Sequence, residues 1–413
     1  MYSRVLIFLS TAMILGNAEA EPRHRQASAA QGQRRAIVSH GDDVLSLSAV
    51  RFTELPGWNK DRHGDALPAF LASCRKLDNL SDNERVGVGP FGGRAKNWRK
   101  VCRKAKRVPV GNHRKARAFF EREFRAFSAR GKAGPRGRIT GYYVQPINAS
   151  RRRHGKYQFP LYRRPNDLIA VSLSEFVGDG RDRRIWGKLD SLGHKLEPYP
   201  TRNQYRRAHT GQTSNVLLWL DNPRDVVRVE IEGSGKATMD DGTTRMVAFA
   251  GKNARASGML RVVSRELKKL ALAHPSGLWS TRELARYHEI LDQKTSMVFF
   301  EMEDRPGAIG TQNVILTPRR SLAVDRAVIP LSTPVWVTTT APRTSSARHT
   351  KFQQLLIAQD TGGAIRGTIR GDIYWGDDAE ALAIGKRVNG PGRMWLLLPK
   401  GLRQEAPSAS TKN

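Results

Sequence analysis

The chain is short of acid. It carries 38 Asp and Glu against 70 Lys and Arg, a formal net charge of +32 over 413 residues. It has 2 cysteines, too few for a disulfide-stapled scaffold or a four-ligand structural zinc site. No stretch reaches 18 apolar residues, so no transmembrane helix is expected. No repeat of fixed period is visible. The 10 His are scattered and no H-E-x-x-H occurs, so a zinc hydrolase lacks its ligands, and neither a metal nor a cofactor is expected. Gly87-Val88-Gly89-Pro90-Phe91-Gly92 matches G-x-G-x-x-G literally, but no strand leads into it and Pro90 and Gly93 make it a loop. Gly233-Ser234-Gly235-Lys236 resembles the end of a phosphate loop, yet Glu230 stands where its first Gly belongs. What is present is 39% hydrophobic and 26% charged residues, the composition of a packed protein rather than a disordered polycation. At ~150 residues per domain the length fits two or three domains.

The first twenty residues, MYSRVLIFLSTAMILGNAEA, give the chain an address. Arg4 precedes an apolar run from Val5 to Gly16, and Ala18-Glu19-Ala20 is an A-x-A cleavage site. Twelve residues cannot span ~30 Å of hydrocarbon as a helix. Residues 1–20 therefore read as a signal peptide, and the product is expected in a bacterial periplasm. No Cys lies at the cleavage site, so no lipid anchor is expected. Export redirects the charge: nucleic acid is scarce there, no nucleic-acid module is visible, and anionic envelope surfaces become the partners that +32 favours. An oxidising compartment also makes Cys74–Cys102 a candidate disulfide, with two buried free thiols as the alternative.

Residues 21–45 are polar, basic and without apolar period, a flexible lead-in. Leu67 to Leu77 reads as a helix with Phe70, Leu71, Cys74 and Leu77 on one face, and Arg114 to Phe127 as a second with four Phe. From Arg138 short β-type runs follow: ITGYYVQPI, YQFPLY, VLLWL and VVRVEIEGSG, with a hairpin turn at Asp240-Asp241-Gly242. Helices are expected from Ser257 to about Ala273 and from Ser280, where Glu283 completes a capping box. Strands then return as VIPL, PVWV, LLIAQD, DIYW and MWLLLP. The fold class is α+β, mainly β, with helices at the N-terminus and in the middle.

The informative stretch is LLIAQDTGGAIRGTIRGDIYWG. Asp360 ends a strand-like run before Gly362-Gly363, and Asp372 sits between Gly371 and Ile373-Tyr374-Trp375. Carboxylates in apolar, glycine-rich settings are candidates for a raised pKa and for close approach of a ligand. On these features alone two turn aspartates are the simpler reading. The wider pattern changes that. Asp325 (LAVDRAVIPLSTPVWV), Asp360 (AQDTGGAI) and Asp372 (RGDIYWG) resemble the three-aspartate domain of the membrane-bound lytic murein transglycosylase A family. Thr140-Gly141-Tyr142-Tyr143, Pro160-Leu161-Tyr162-Arg163-Arg164-Pro165, Glu232-Gly233-Ser234-Gly235, Ala250-Gly251-Lys252-Asn253 and Val298-Phe299-Phe300 resemble it in the right order, over roughly residues 65–400.

The resemblance implies a double-psi β-barrel catalytic domain at residues 46–145 plus 307–405. A second β-barrel domain, residues 146–306, would be inserted into it, with a glycan groove between the two and a polar tail at 406–413. It implies a peptidoglycan lytic exotransglycosylase, expected to be monomeric, that cleaves the β-1,4 bond between N-acetylmuramic acid and N-acetylglucosamine and leaves 1,6-anhydromuramoyl ends. One carboxyl suffices for this chemistry if its pKa is raised. By motif, Asp372 is the acid/base, Asp360 orients or polarises, and Asp325 supports the barrel loops. Thr140, Tyr142 and Gln145, with Gly233, Ser234 and Gly235, would contact substrate. Ile373, Tyr374 and Trp375 would supply the apolar surroundings of Asp372. The chain departs from the family in Glu232, where members often carry Gln, and in a shorter loop after Asn253. Two other readings remain: a hydrolase pairing Asp360 with Asp372, and a non-catalytic wall-binding or wall-loosening barrel.

Overall fold

The computed structural model describes residues 36–40, 43–87, 91–173, 176, 184–256, 258–344 and 346–402; at 36–40 and 43 only the backbone is described. The leader, residues 88–90 of the glycine loop and the polar tail lie outside this set.

The described chain opens as a hairpin, β1 (Ala36–His40) on β2 (Asp43–Val50). This corrects the flexible lead-in drawn through residue 45. Val44-Leu45-Ser46-Leu47 alternates with period two, and the pleat sends Leu45 and Leu47 together into the core, both fully buried. Three helices follow, α1 (Leu67–Asp78), α2 (Ala95–Ala105) and α3 (His113–Glu123), then β3 (Phe124–Arg130) and β4 (Gly137–Tyr142).

Beyond Tyr142 the chain enters the insert. Its elements are β5 (Gln145–Ser150), β6 (Phe159–Tyr162), β7 (Ile169–Ser172), β8 (Arg184–Leu189), β9 (Leu196–Pro198), α4 (Arg202–Ala208) and β10 (Val216–Leu220). Then come α5 (Pro223–Glu232), β11 (Ser234–Met239), β12 (Thr244–Lys252), α6 (Leu260–Ala273), α7 (Thr281–Asp292) and β13 (Val298–Glu303). The return consists of β14 (Ser321–Val324), β15 (Pro334–Pro342), β16 (His349–Asp360), β17 (Arg370–Tyr374), α8 (Ala379–Gly385) and β18 (Asn389–Pro399).

The first and last segments share one sheet, ordered β1-β2-β3-β18-β15-β16-β14-β17-β4, with β4 also pairing to β18. That extra pairing closes β18, β15, β16, β14, β17 and β4 into a six-stranded barrel. Its long strand β18 serves β4 with its first residues and β15 and β3 with its last. The barrel interior is apolar, with Ile139, Leu322, Val335, Val337, Leu356, Ile373 and Leu396 fully buried. The outer face, through Trp336, Leu355, Ile357 and Leu397, packs against α1–α3. The insert holds a six-stranded sheet, β13-β12-β11-β5-β10-β6, whose edges meet at a bridge from Arg163 to Phe300, and a small sheet β7-β8-β9. The fold is thus mainly β, with two barrel-like sheets and several helices.

Local chemistry explains where helices replace expected strands. The run VVRVEIEG is helical, not extended. Asn222 accepts a hydrogen bond from the Arg224 backbone N–H at 3.0 Å and Pro223 opens the first turn. This start signal, with Val226, Val227 and Val229 buried against the insert core, outweighs the β preference of the valines. Conversely, the helix drawn to Phe127 stops at Glu123. Phe124 is extended, and pairing of residues 124–128 with β18 takes over. VIPL is not a strand either: the Val328 and Ile329 backbone N–H groups both donate to the Asp325 carbonyl at 2.9 Å, folding a buried turn.

Cys74 of α1 and Cys102 of α2 form a disulfide, their Cα atoms 5.5 Å apart. Closing a loop of this size contributes roughly 3 kcal/mol by chain entropy. It ties α1, whose Phe70 packs against Phe120 and Phe124, to α2, whose Trp98 meets Phe124.

Candidate active site

The two carboxylates singled out in the sequence lie in one row across the barrel. Asp360, at the end of β16, is opposite Ala323 of β14. Ala323 is opposite Asp372 of β17, and Asp372 opposite Thr140 of β4. A β-bulge at Leu322/Ala323 brings Asp360 into this row. Two strand spacings put the Cα atoms of Asp360 and Asp372 roughly 10 Å apart.

Alternation then decides which neighbours share the acid's face. Tyr374 and Tyr142 are opposite each other two residues beyond Asp372 and Thr140, with ring centroids 5.3 Å apart. Ile373 and Trp375 point the other way, into the barrel core. Of the three apolar neighbours expected for Asp372, only Tyr374 is on its side, because strand side chains alternate. Gly141 sits between Thr140 and Tyr142 because a Cβ there would lie 2.5 Å from Trp375 Nε1 and 2.7 Å from the Gly385 carbonyl oxygen.

The two aspartates are solvated differently. Asp372 receives one hydroxyl hydrogen bond, from Thr140 Oγ1 to Oδ1 at 2.6 Å. Burial pushes its carboxyl up to about 6. The Thr140 hydroxyl and the Arg370 charge pull the other way, and Asp360 adds to the rise. Asp360 has four donors: Oδ1 accepts from the Thr311 N–H and hydroxyl and from the Thr361 N–H, at 2.8 to 2.9 Å, and Oδ2 from Tyr142 Oη at 2.8 Å. Burial raises its pKa as well, opposed by these four donors. Tyr142, buried beside Asp360, is held well above its ordinary pKa and stays a donor.

Asp325 touches neither. Its side chain is fully buried and accepts from the Ala327 N–H at 3.2 Å and the Gly367 N–H at 2.9 Å, with Arg366 Nη1 at 3.5 Å. It joins the turn after β14 to the loop before β17.

The insert comes close to this row. Gly233 ends α5 at φ +77°, a conformation that favours glycine, and delivers Ser234 and Gly235 into β11. Lys236 crosses to Asp377, 3.0 Å away, just past β17. Gly235 is level with Gln145 of β5. Gln145 is buried: its Nε2 donates to the Pro146 carbonyl, while its Oε1 has no partner. Val144, Met246, Leu316, Tyr374 and Tyr142 pack where the two sheets meet.

Four participants were given no role from the sequence. Thr311 bonds Asp360 from a segment with no motif, whereas Thr361, which gives Asp360 its backbone N–H, and Arg370, whose charge lies near Asp372, stand inside the two quoted aspartate motifs. The fourth is Glu232, noted only as a departure. Burial pushes its carboxyl up to about 8 against hydrogen bonding from Tyr143, and the Asp372 charge adds to the rise. Among the described residues no group of three His, Cys, Asp or Glu is placed to hold a metal ion, and no helix is long and apolar enough to cross a membrane.

Comparison with known proteins gives concordant relatives. Residues 138–301 match the MltA specific insert domain and residues 320–398 the 3D domain. The membrane-bound lytic murein transglycosylase A of Escherichia coli (strain K12) is 28% identical over 270 residues, 63% of this chain and 65% of that protein. The protein of the same name from Vibrio cholerae is 30% identical over 220 residues, 51% of this chain and 59% of that protein. These matches span just under two thirds of the relatives' length. The crystal structure of MltA from Neisseria gonorrhoeae superposes with a TM-score of 0.66 at 26% identity, covering 89% of this chain and 96% of that one.

Proposed function

The chain belongs to the membrane-bound lytic murein transglycosylase A family, and from that premise we propose that it is a lytic transglycosylase. Its substrate is the β-1,4 bond between N-acetylmuramic acid and N-acetylglucosamine in peptidoglycan, and its acid/base is Asp372. The observation that carries the assignment is the contrast within the carboxylate row: Asp372 is desolvated to a pKa of about 6, whereas Asp360 is occupied by four donors.

The chemistry follows from that contrast. Protonated Asp372 gives its proton to the glycosidic oxygen as the bond from C1 of the muramoyl residue breaks. The new carboxylate then takes the proton of that residue's C6 hydroxyl, whose oxygen closes on C1. One proton is lent and returned, no water is consumed, and the product is a 1,6-anhydro sugar. A pKa near 6 leaves the acid partly protonated near neutrality and basic enough to act in the second half. Asp360, which accepts three hydrogen bonds at Oδ1 and one at Oδ2, is suited to orienting Tyr142 and Thr311 beside the reacting sugar. Gln145 and the Gly233–Gly235 segment would hold the glycan from the insert side.

The rival hydrolase needs Asp360 to activate water, and the four donors on Asp360 speak against that. The wall-binding reading gives no reason for a carboxyl held near 6. Digestion of purified sacculi followed by mass spectrometry separates the three. Anhydro ends, one water lighter than reducing ends, support the lyase. Reducing ends alone sink it, and no release supports binding only. Placement in the periplasm, where +32 favours anionic envelope surfaces, belongs to the same proposal. Binding to sacculi that falls as salt rises supports it.

A further inference from the structure

A groove of about 840 Å³ lies away from the carboxylates, between α2, α3 and the end of β18, floored by Val101, Val108, Ala118 and Pro399. Six cations line it, Lys100, Lys104, Arg107, Lys115, Arg122 and Lys400, against one carboxylate, Glu123. Glu123 is already spent: its side chain is 9% exposed and is taken by Lys104 Nζ at 2.7 Å and Arg122 Nε at 2.8 Å. Lys100, Arg107, Lys115 and Lys400 are exposed and have no carboxylate partner among the described residues. Like charges gathered at one concavity repel one another, and a bound polyanion relieves that repulsion.

We propose that this groove is a second, non-catalytic wall site that binds the acidic stem peptides of peptidoglycan. The inference rests on the wall being the substrate, though not on how the glycan bond is cut. Three observations choose this occupant. The groove is concave and of ligand size, unlike a surface that rests on a flat bilayer. Its floor is apolar, which matches the alanine methyls of a stem peptide and is wasted on a bare phosphate. Its rim of separate lysines matches several carboxylates spaced along a short chain rather than one anion.

Position adds a fourth. β18 begins at Asn389, paired to Thr140 beside Asp372, and ends at Pro399 in the groove wall. Eleven strand residues place the groove roughly 30 Å from the carboxylates along that strand. A stem peptide on a neighbouring glycan strand could be held there while the site stays open.

The test is titration of the full chain with a synthetic L-Ala-γ-D-Glu-diaminopimelate peptide, in parallel with inorganic phosphate and with anionic phospholipid vesicles. The variant is Lys100→Gln, Lys115→Gln, Lys400→Gln. The control is Arg245→Gln, Arg261→Gln, Lys268→Gln, an equal charge change on exposed positions of the insert. The proposal expects saturable peptide binding that weakens at least tenfold in the variant, holds in the control, and leaves turnover of peptide-free glycan unchanged in both. Absence of saturable binding overturns it. So does equal weakening in variant and control, or tighter binding to vesicles or phosphate than to the peptide. Because the titration uses no turnover, its failure is separate from any failure of the lyase assignment.

Discussion

Asp372, half-buried, and Glu230, whose side chain is 3% exposed, are both carboxylates withdrawn from water, one in each barrel, and they are handled in opposite ways. Glu230 of α5 is clamped by Arg202 Nη2, 2.6 Å from both its oxygens, and by Lys294 Nζ at 2.7 Å; all three side chains are at most 4% exposed. Arg202 Nε and Nη2 also donate to the Lys294 and Ser296 carbonyls, and Lys294 Nζ to the Ser296 carbonyl. Burial pushes Glu230 up, but the two cations outweigh it and hold it below its ordinary range. Asp372 has a hydroxyl instead of a clamping cation, and burial wins. A buried carboxylate with its own cations is a structural joint. A buried carboxylate left with a hydroxyl keeps a proton that it can trade.

The largest effect that could break this comparison is at Asp372. Asp372→Asn keeps the shape and the Thr140 contact but cannot donate an acidic proton. Release of anhydromuropeptides from sacculi is expected to fall at least about a thousandfold, within the range of general acid catalysis. Residual activity within tenfold of the parent would remove Asp372 from the role.

The mirror experiment is Glu230→Gln. It should leave two cations buried against a neutral amide, at a cost of about 3–5 kcal/mol in denaturant unfolding. Turnover per folded molecule should stay near that of the parent. If Glu230→Gln folds as firmly as the parent, the network is not the joint described here.

The two groups should also bend the pH dependence of stability in opposite directions. The pKa of Asp372 rises from 3.8 to about 6 on folding, so between these values the folded state binds more protons than the unfolded. Stability from this group is therefore present below pH 4 and is lost as pH rises through 6, up to about 3 kcal/mol. Glu230, held below its ordinary value, contributes above pH 4.5 and loses that contribution as pH falls. Urea midpoints of the parent and Asp372→Asn, compared from pH 4 to 7, should diverge as pH rises, the variant becoming the more stable. Parallel curves would mean Asp372 is solvated.

Much of this was readable in advance, and the unreadable part has a cause. Motif order gave Asp325, Asp360 and Asp372, and Thr140 and Tyr142 prove to be the hydroxyls bonded to two of them. Alternation in Val44–Leu47 was visible but masked by the basic segment before it. The valines of α5 misled because β-branching was weighed above Asn222-Pro223. Thr361 stands beside Asp360 in the quoted motif and gives it a neighbour's backbone N–H, but the donor Thr311 had no signal at all. It reaches Asp360 only because the loop before β14 folds against the end of β16, where the Gln312 N–H donates to the Gln359 carbonyl. Pairing between segments so far apart is set by tertiary packing, and no local pattern records it.

The finest test concerns the hydroxyl that Asp372 has in place of a cation. Thr140 donates to the carboxylate form, so it holds the pKa of Asp372 below what burial alone would set. Thr140→Val is nearly the same shape and removes the donor. The proton should then be held more tightly, and the alkaline limb of kcat/KM should move up by about half to one pH unit. Absolute rates should fall by about tenfold or less, since one neutral hydrogen bond is worth roughly 0.5–1.5 kcal/mol. A purely structural role would lower the rate without moving the limb. A limb displaced downward would mean that Thr140 stabilises the protonated acid, which would reverse its assigned place in the proton's path.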